Sequence, residues 1–135
     1  MAFTLYKRGV TAQVPFEELP STASETYTIG EALVLSSGAL TKCGATATPE
    51  FICAEAYVAP ASDNKDLLVY RILEDMQFET TFAADPDSIT IGSKVTLHTD
   101  GAQVTATTTN GVAYVVRKDD GGNDSGDGCI VMFRR

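Results

Sequence analysis

The side chains best suited to catalysis are the single histidine, His98, and Asp100 two positions later. Together with a serine nucleophile, these side-chain types form the proton relay of many hydrolases. The relay also needs a nucleophile in a suitable turn, such as Gly-x-Ser-x-Gly, and the sequence contains no such turn. We therefore interpret His98 as a solvent-facing residue of a strand, and the sequence predicts no catalytic residue and no enzyme.

The acidic segment at residues 118–128, which reads KDDGGNDSGDG, is the candidate metal site. The EF-hand needs glycine at its sixth position, and counting from Asp119 places Asp124 there. The calcium-binding nonapeptide G-G-x-G-x-D is broken at the same residue. We therefore expect a solvated loop, with no metal ion and no cofactor. The oxygen-bearing side chains that calcium would prefer are Asp119, Asp120, Asn123, Asp124 and Asp127.

Other reactive groups lack the context that their chemistry needs. The neighbouring acids Glu17-Glu18 and Glu74-Asp75 do not suit glycoside hydrolysis, because adjacent residues on a strand point to opposite faces. Lys42 follows a Gly-Ala turn, which suggests the lysine hairpin of biotin and lipoyl carriers, but the flanking residues do not match those carriers. We interpret these residues as part of an ordinary polar surface.

The three cysteines, Cys43, Cys53 and Cys129, are an odd number and have no Cys-x-x-Cys spacing. This usage favours free thiols in a reducing cytosol over a disulfide framework or a zinc site. A bridge between Cys43 and Cys53 across neighbouring strands is the alternative.

Length and charge limit the class of protein. A chain of 135 residues has room for one domain with one substantial core, or for two very small lobes that share one core. Its formal charge of -8 repels phosphate backbones, so we expect no nucleic-acid partner. No apolar run approaches the ~20 residues that span a bilayer, and we expect neither a membrane partner nor a secretory leader.

A doubled phrase determines the predicted fold. The stretch TIGEALVLSSGAL begins at Thr28, and TIGSKVTLHTDGA begins at Thr90. The matched positions are apolar or turn residues without titratable groups, so the repeat predicts architecture rather than catalysis. The Asp100-Gly101 pair indicates a hairpin, and the threonine-rich text after it is typical of a strand.

The rest of the chain predicts an all-β fold. Short apolar segments bounded by turn residues indicate further strands, namely FICAEAYV, LLVYRIL, QFETTFA, VAYVVRK and CIVMFRR. The only helix-like candidates are about one turn in VPFEELP and a capped turn at residues 62–66. We expect a small antiparallel β-barrel or sandwich at residues 26–135, preceded by an extended N-terminal arm at residues 1–25.

The arm combines aromatic and basic residues with two prolines and has no evident hairpin partner of its own. Such a segment can add a strand to the sheet edge of a neighbouring protein while its aromatic rings fill pockets. The alternative is that the arm packs on its own domain as an edge strand. If the arm docks on a partner, the expected contact residues are Phe3, Tyr6, Lys7, Arg8 and Phe16.

The segment at residues 69–120, the Gly/Asp loop after it and the final CIVMFRR resemble the capsid decoration, or cement, proteins of tailed bacteriophages and prophages. The hairpin that begins with the first Thr-Ile-Gly (TIG), at Thr28, resembles them more loosely. The resemblance implies a β-rich protein, often a homotrimer, that binds the outer surface of the assembled head and connects major capsid subunits. It also implies residence in the host cytoplasm before assembly, and it carries no catalytic residues.

Two other kinds of function remain open from the sequence. One is a phage tail or baseplate-associated β module, and the other is a carbohydrate-binding β module. Sugar platforms usually expose aromatic rings, and this chain has no tryptophan and only 8% aromatic residues. The glycan hypothesis is therefore the less favoured of the two.

Overall fold

A computed structural model describes residues 2–7, 15–119 and 126–133, and within these ranges the chain is all-β. The described residues form twelve strands and no helix, and so no helix among them is long and apolar enough to cross a membrane. The strands are β1 (Thr4–Lys7), β2 (Phe16–Pro20), β3 (Thr26–Tyr27), β4 (Ala32–Ser36), β5 (Ala39–Lys42), β6 (Phe51–Cys53), β7 (Tyr57–Val58), β8 (Asp66–Arg71), β9 (Gln77–Thr81), β10 (Lys94–Val95), β11 (Ala113–Lys118) and β12 (Gly128–Met132).

Two five-stranded antiparallel sheets make up most of the fold. The first has the order β2-β8-β6-β4-β5, the second has the order β1-β9-β12-β11-β10, and β3 pairs with β7 in a small third sheet. The described strands form no closed barrel. The all-β prediction is therefore confirmed, and the arrangement is consistent with a β-sandwich.

The two large sheets repeat one pairing pattern. Three strands of the second sheet follow their counterparts by 62 residues, and β9 follows β2 by 61 residues, since Glu17 pairs with Val69 and Phe78 pairs with Val131. In the first sheet Ala32 pairs with Ile52, which pairs with Tyr70. In the second sheet, the residues 62 positions later pair in the same way, Lys94 with Tyr114 and Tyr114 with Met132. The strand orders β2-β8-β6-β4 and β9-β12-β11-β10 therefore correspond strand for strand.

Backbone hydrogen bonds repeat with the same shift. The Gly30 N–H donates to the carbonyl of Cys53 at 2.8 Å, and the Gly92 N–H donates to the carbonyl of Val115 at 2.9 Å. A second bond in each half runs in the opposite direction at 2.9 Å, from the Cys53 N–H to the Glu31 carbonyl and from the Val115 N–H to the Ser93 carbonyl. The doubled phrase seen in the sequence is thus one part of a duplicated half-chain.

The larger core receives side chains from both sheets, while the smaller core belongs to the first half of the chain. Along β6, Ile52 faces the shared core, whereas Phe51 and Cys53 face the smaller one. This is the alternation of a strand that is buried on both sides. From the second sheet, Phe78, Val115 and Val131 complete the shared core.

Both described parts of the N-terminal arm pair within the chain. Strand β1 lies on the edge of the second sheet beside β9, and β2 lies on the edge of the first sheet beside β8. This arrangement corresponds to the alternative in which the arm packs on its own domain. Residues 8–14 lie outside the described part of the chain.

Three local predictions were wrong. The segment VPFEELP, a helix-like candidate of about one turn, contains strand β2, because an edge strand tolerates a proline at its end. Residues 62–66 form no capped helical turn: residues 62 and 63 are bends, with Asp63 at a φ of 59°, and Asp66 already begins strand β8. The threonine-rich segment at residues 105–110 is irregular rather than a strand, because its few backbone bonds return to Thr96 and to its own turn.

The turn that follows the first copy of the doubled phrase differs from the turn that follows the second. Ser37 and Gly38 form a two-residue connection, and both have positive φ, at 52° and 83°. The turn at Asp100-Gly101 is longer, and only Gly101 has positive φ there. The Asp100 carboxylate closes this turn by accepting hydrogen bonds from the backbone of Ala102 at 2.8 Å and Gln103 at 3.2 Å.

Candidate docking surface

The expected contact residues of the arm occupy different environments. Phe3 is only 2% exposed, and its ring packs edge-on against Phe133 with centroids 5.3 Å apart. Its N–H donates to the carbonyl of Gly30 at 3.0 Å. Phe3 therefore packs in the chain's own core, so its ring is not presented to a partner in this structure.

Tyr6 and Phe16 are the exposed aromatic residues of the expected set, at 49% and 54% exposure. Tyr6 lies at an irregularity of the β1–β9 pairing, and the rings of Phe16 and Tyr70 form an edge-to-face pair with centroids 6.4 Å apart. The structure thus places one ring on the edge strand of each sheet. The Lys7 backbone pairs with Gln77, while the side chain of Lys7 and all of Arg8 lie outside the described part.

An open groove of about 470 Å³ runs beside Tyr6. Glu79 and Arg117, both exposed, border it, and Ile130 forms part of its floor. The groove joins an aromatic ring, an apolar side chain and two opposite charges. Such a mixed surface is suited to contact with another protein.

A smaller apolar hollow of about 270 Å³ lies between β1 and the first sheet. It is lined by Leu5, Ile52, Ala54 and Tyr70, and Ile29 is part of its wall. Because Phe16 packs against the ring of Tyr70, exposed apolar surface extends from the hollow to the edge of the first sheet.

The two TIG phrases form equivalent tight turns. In the first, the Glu31 N–H donates to the Thr28 carbonyl at 3.2 Å, and Gly30 has a φ of 86°. A bond across four residues with positive φ at the third is the form of a type II turn, which explains the glycine. In the second, the Ser93 N–H donates to the Thr90 carbonyl at 3.1 Å, and Gly92 has a φ of 95°.

The isoleucine of each TIG turn points into solvent. Ile29 is 63% exposed and Ile91 is 65% exposed. Sequence reasoning treated the repeated phrase as scaffold and missed these two side chains. The available signal was the glycine, because a turn that places glycine third leaves the second residue at the outside of the bend.

Glu31 is a buried carboxylate at the junction of the two halves. It is only 1% exposed, and its Oε2 atom has no hydrogen-bond partner among the described residues. Its Oε1 atom accepts a bond from the Thr28 N–H at 3.3 Å, and burial raises the pKa of the carboxyl above its ordinary value. Asp100 and Lys42 line the adjoining cavity of about 520 Å³.

The three cysteines are free and buried. Burial raises the pKa of the thiols to about 12 at Cys43, about 11 at Cys53 and about 12 at Cys129. A thiol with such a pKa holds little thiolate at neutral pH and is a poor nucleophile. The alternative of a bridge between Cys43 and Cys53 is not present in this structure.

The hydrogen bonds of the Asp100 carboxylate lie within its own turn. Burial opposes its ionisation, yet hydrogen bonds from Gln103 and Ala102 and the nearby His98 lower the pKa of its carboxyl below the ordinary value. The Gln103 Nε2 atom donates to Asp100 Oδ2 at 2.9 Å. Asp100 thus stabilises its own turn.

No group of three or more His, Cys, Asp or Glu side chains converges on a metal-binding position within residues 2–7, 15–119 and 126–133. Residues 120–125 of the acidic loop lie outside these ranges. At the neck of the loop, the Gly128 N–H donates to Asp119 Oδ2 at 3.0 Å and the Asp119 N–H donates to the Gly128 carbonyl at 3.1 Å.

A scan against protein-family models finds no match for the chain, and a search of curated proteins finds none either.

Proposed function

We propose that the chain is a capsid decoration protein of a tailed bacteriophage or prophage. In this role it binds the outer surface of the assembled head, as a homotrimer, and holds neighbouring major capsid subunits together. The proposal rests on the resemblance of residues 69–120 and of the final segment to such proteins. It is supported by exposed apolar side chains that are held on turns and edge strands.

The observation that carries the proposal is the position of the exposed rings. Tyr6 and Phe16 lie on edge strands of two different sheets, so the chain presents aromatic anchors at two separate places. A protein that connects neighbouring subunits needs at least two contact regions, since simultaneous contacts raise the overall affinity. Negative charge keeps free copies apart before assembly.

The proposed contact set keeps four of the five arm residues expected from the sequence. Tyr6 and Phe16 provide aromatic contacts, and Lys7 and Arg8 meet acidic patches on the shell. Phe3 contributes indirectly, because its burial fixes β1 against the domain.

The test is binding to expanded heads. Purified protein should bind saturably and raise the temperature at which the heads rupture. The variants Tyr6→Ser and Phe16→Ser should each weaken binding about tenfold or more while the melting temperature of the free protein stays nearly constant. A mass measurement in solution tests the trimer. Lack of binding by the unaltered protein to expanded heads would refute the proposal.

Deletion of residues 1–16 tests the two roles of the arm. It should abolish head binding, and because it also removes the buried ring of Phe3, it should lower the free energy of unfolding. Loss of binding in the two serine variants without loss of stability separates docking from folding.

The second candidate is a tail-associated or carbohydrate-binding β module. The mixed groove beside Tyr6 is the feature that favours it, since a ring flanked by charged groups can hold a sugar. A glycan array separates this candidate from head binding.

A further inference from the structure

The duplicated half-chain retains one exposed apolar residue in both copies, and the geometry of its turn does not require an apolar side chain at that position. At the 62-residue shift most positions differ between the halves. Ile29 and Ile91 are identical, and each is about two-thirds exposed. A polar side chain suits the second position of such a turn equally well. The retained isoleucine therefore points to a contact with a partner.

The other two residues of the phrase have evident structural roles. Glycine is required by the positive φ of the turn, at 86° in Gly30 and 95° in Gly92. The threonine hydroxyl closes the turn in the second copy, where Thr90 Oγ1 lies 3.0 Å from Ser93 Oγ. Folding explains the retention of Thr and Gly, but it does not explain the retention of Ile.

Both isoleucines are presented on fixed supports. Each turn is closed by its own backbone bond, and its glycine N–H is tied to the carbonyl of a core strand, at 2.8 Å in the first copy and 2.9 Å in the second. A side chain on such a support loses little conformational freedom when it binds. The two turns are therefore preformed, equivalent anchors.

We propose that the two TIG turns insert Ile29 and Ile91 into equivalent apolar sockets on adjacent copies of one repeated subunit. Two identical anchors in one chain match a partner surface in which one site recurs, as it does in a symmetric protein shell. This inference rests on the proposed decoration function and specifies how the chain spans two subunits. Linking two contacts in one chain gives an overall affinity well above that of either contact.

The test uses the variants Ile29→Ser, Ile91→Ser and the double variant in saturation binding to expanded heads. Each single change should weaken binding about tenfold, as expected for the burial of most of one isoleucine side chain. The double variant should weaken binding about a hundredfold, because distant contacts contribute additively. Val58→Ser is the matched control, since Val58 is 72% exposed but does not belong to a TIG turn, and it should bind like the unaltered protein.

Melting temperatures show whether a variant affects folding. The two single serine variants, the double variant and Val58→Ser should all melt within a few degrees of the unaltered chain. The second pair of variants, Ile29→Thr and Ile91→Thr, keeps the branched shape and should show the same loss of affinity. A double variant that binds like the unaltered protein would overturn this inference and leave the decoration function standing. A double variant no weaker than one single variant would overturn the two-socket arrangement. Absence of binding by the unaltered protein would remove both proposals.

Discussion

Adding one methyl group to each TIG turn should have very different effects on stability. Gly30 and Gly92 occupy equivalent positions and have similar positive φ, so alanine incurs the same backbone strain of about 1–2 kcal/mol at either position. At Gly92 the nearest atom to the added Cβ is the Tyr114 hydroxyl at 3.7 Å, which is an ordinary contact. At Gly30 the Cβ would lie 2.4 Å from the Cβ of Ala2 and 3.3 Å from the backbone N of Phe3.

Relief of the overlap at Gly30 requires the N-terminal segment to move. The movement breaks the bond from the Phe3 N–H to the Gly30 carbonyl, which contributes about 1 kcal/mol. It also loosens the buried ring of Phe3, for which complete truncation would cost about 3–5 kcal/mol. We expect Gly92→Ala to lower the free energy of unfolding by about 1–2 kcal/mol, and Gly30→Ala to lower it by about 3–5 kcal/mol.

Urea unfolding of the two variants, with and without Phe3→Ala, measures the difference directly. If the alanine at position 30 acts by displacing Phe3, its cost in the Phe3→Ala background should fall to within about 1 kcal/mol of that of Gly92→Ala, the remainder being the lost backbone bond to the Gly30 carbonyl. Equal costs for the two glycine variants in the unaltered background would show that the N-terminal segment is not held against the first TIG turn. That result would refute the pairing of β1 within the chain.

Three further predictions concern a buried charge, a close backbone contact and the thiols. Glu31→Gln should raise the free energy of unfolding at pH 7 by about 1–3 kcal/mol, because it removes a buried charge, whereas exposed Glu18→Gln should change little. Since the folded-state pKa of Glu31 is raised, its ionisation destabilises the fold as pH rises through that pKa, so the gain should vanish below about pH 4.5 in pH-dependent unfolding. Gly111→Ala places its Cβ 2.2 Å from the Lys94 carbonyl oxygen and should cost several kcal/mol in thermal unfolding, whereas Gly44→Ala meets nothing within 4 Å and should cost less than about 1 kcal/mol. All three thiols should react with iodoacetamide at pH 8 much more slowly in the folded protein than in urea, and rapid labelling without denaturant would contradict their burial.

The alternation of small apolar and polar residues was sufficient to predict an all-β chain. It was not sufficient to reveal the full duplication, because core positions accept any apolar side chain that fits. Leu67 in the first half corresponds to Cys129 in the second, and both are buried. The register is retained while the residue types diverge, so only the glycine-dependent TIG turn remained recognisable in the sequence.

The candidate site was less predictable than the fold. Phe3 and Phe16 have the same residue type within one short segment, yet one is 2% exposed and the other 54%. The difference arises from Phe133, which directly follows β12 and packs on Phe3 from a distant part of the sequence. A local pattern contains no information on such a contact.

The strand order of the second sheet imposes a sequence of events during synthesis. Strand β1 leaves the ribosome early, but its partner β9 is made about 70 residues later, a delay of about 4–15 s at ordinary translation rates. Strand β12, which separates β9 from β11, is made later still. The first half can therefore fold while the nascent chain is still growing, and Ile52 and its neighbours stay exposed to solvent until the second sheet forms. Strand β1, although it is made first, is one of the last strands to pair.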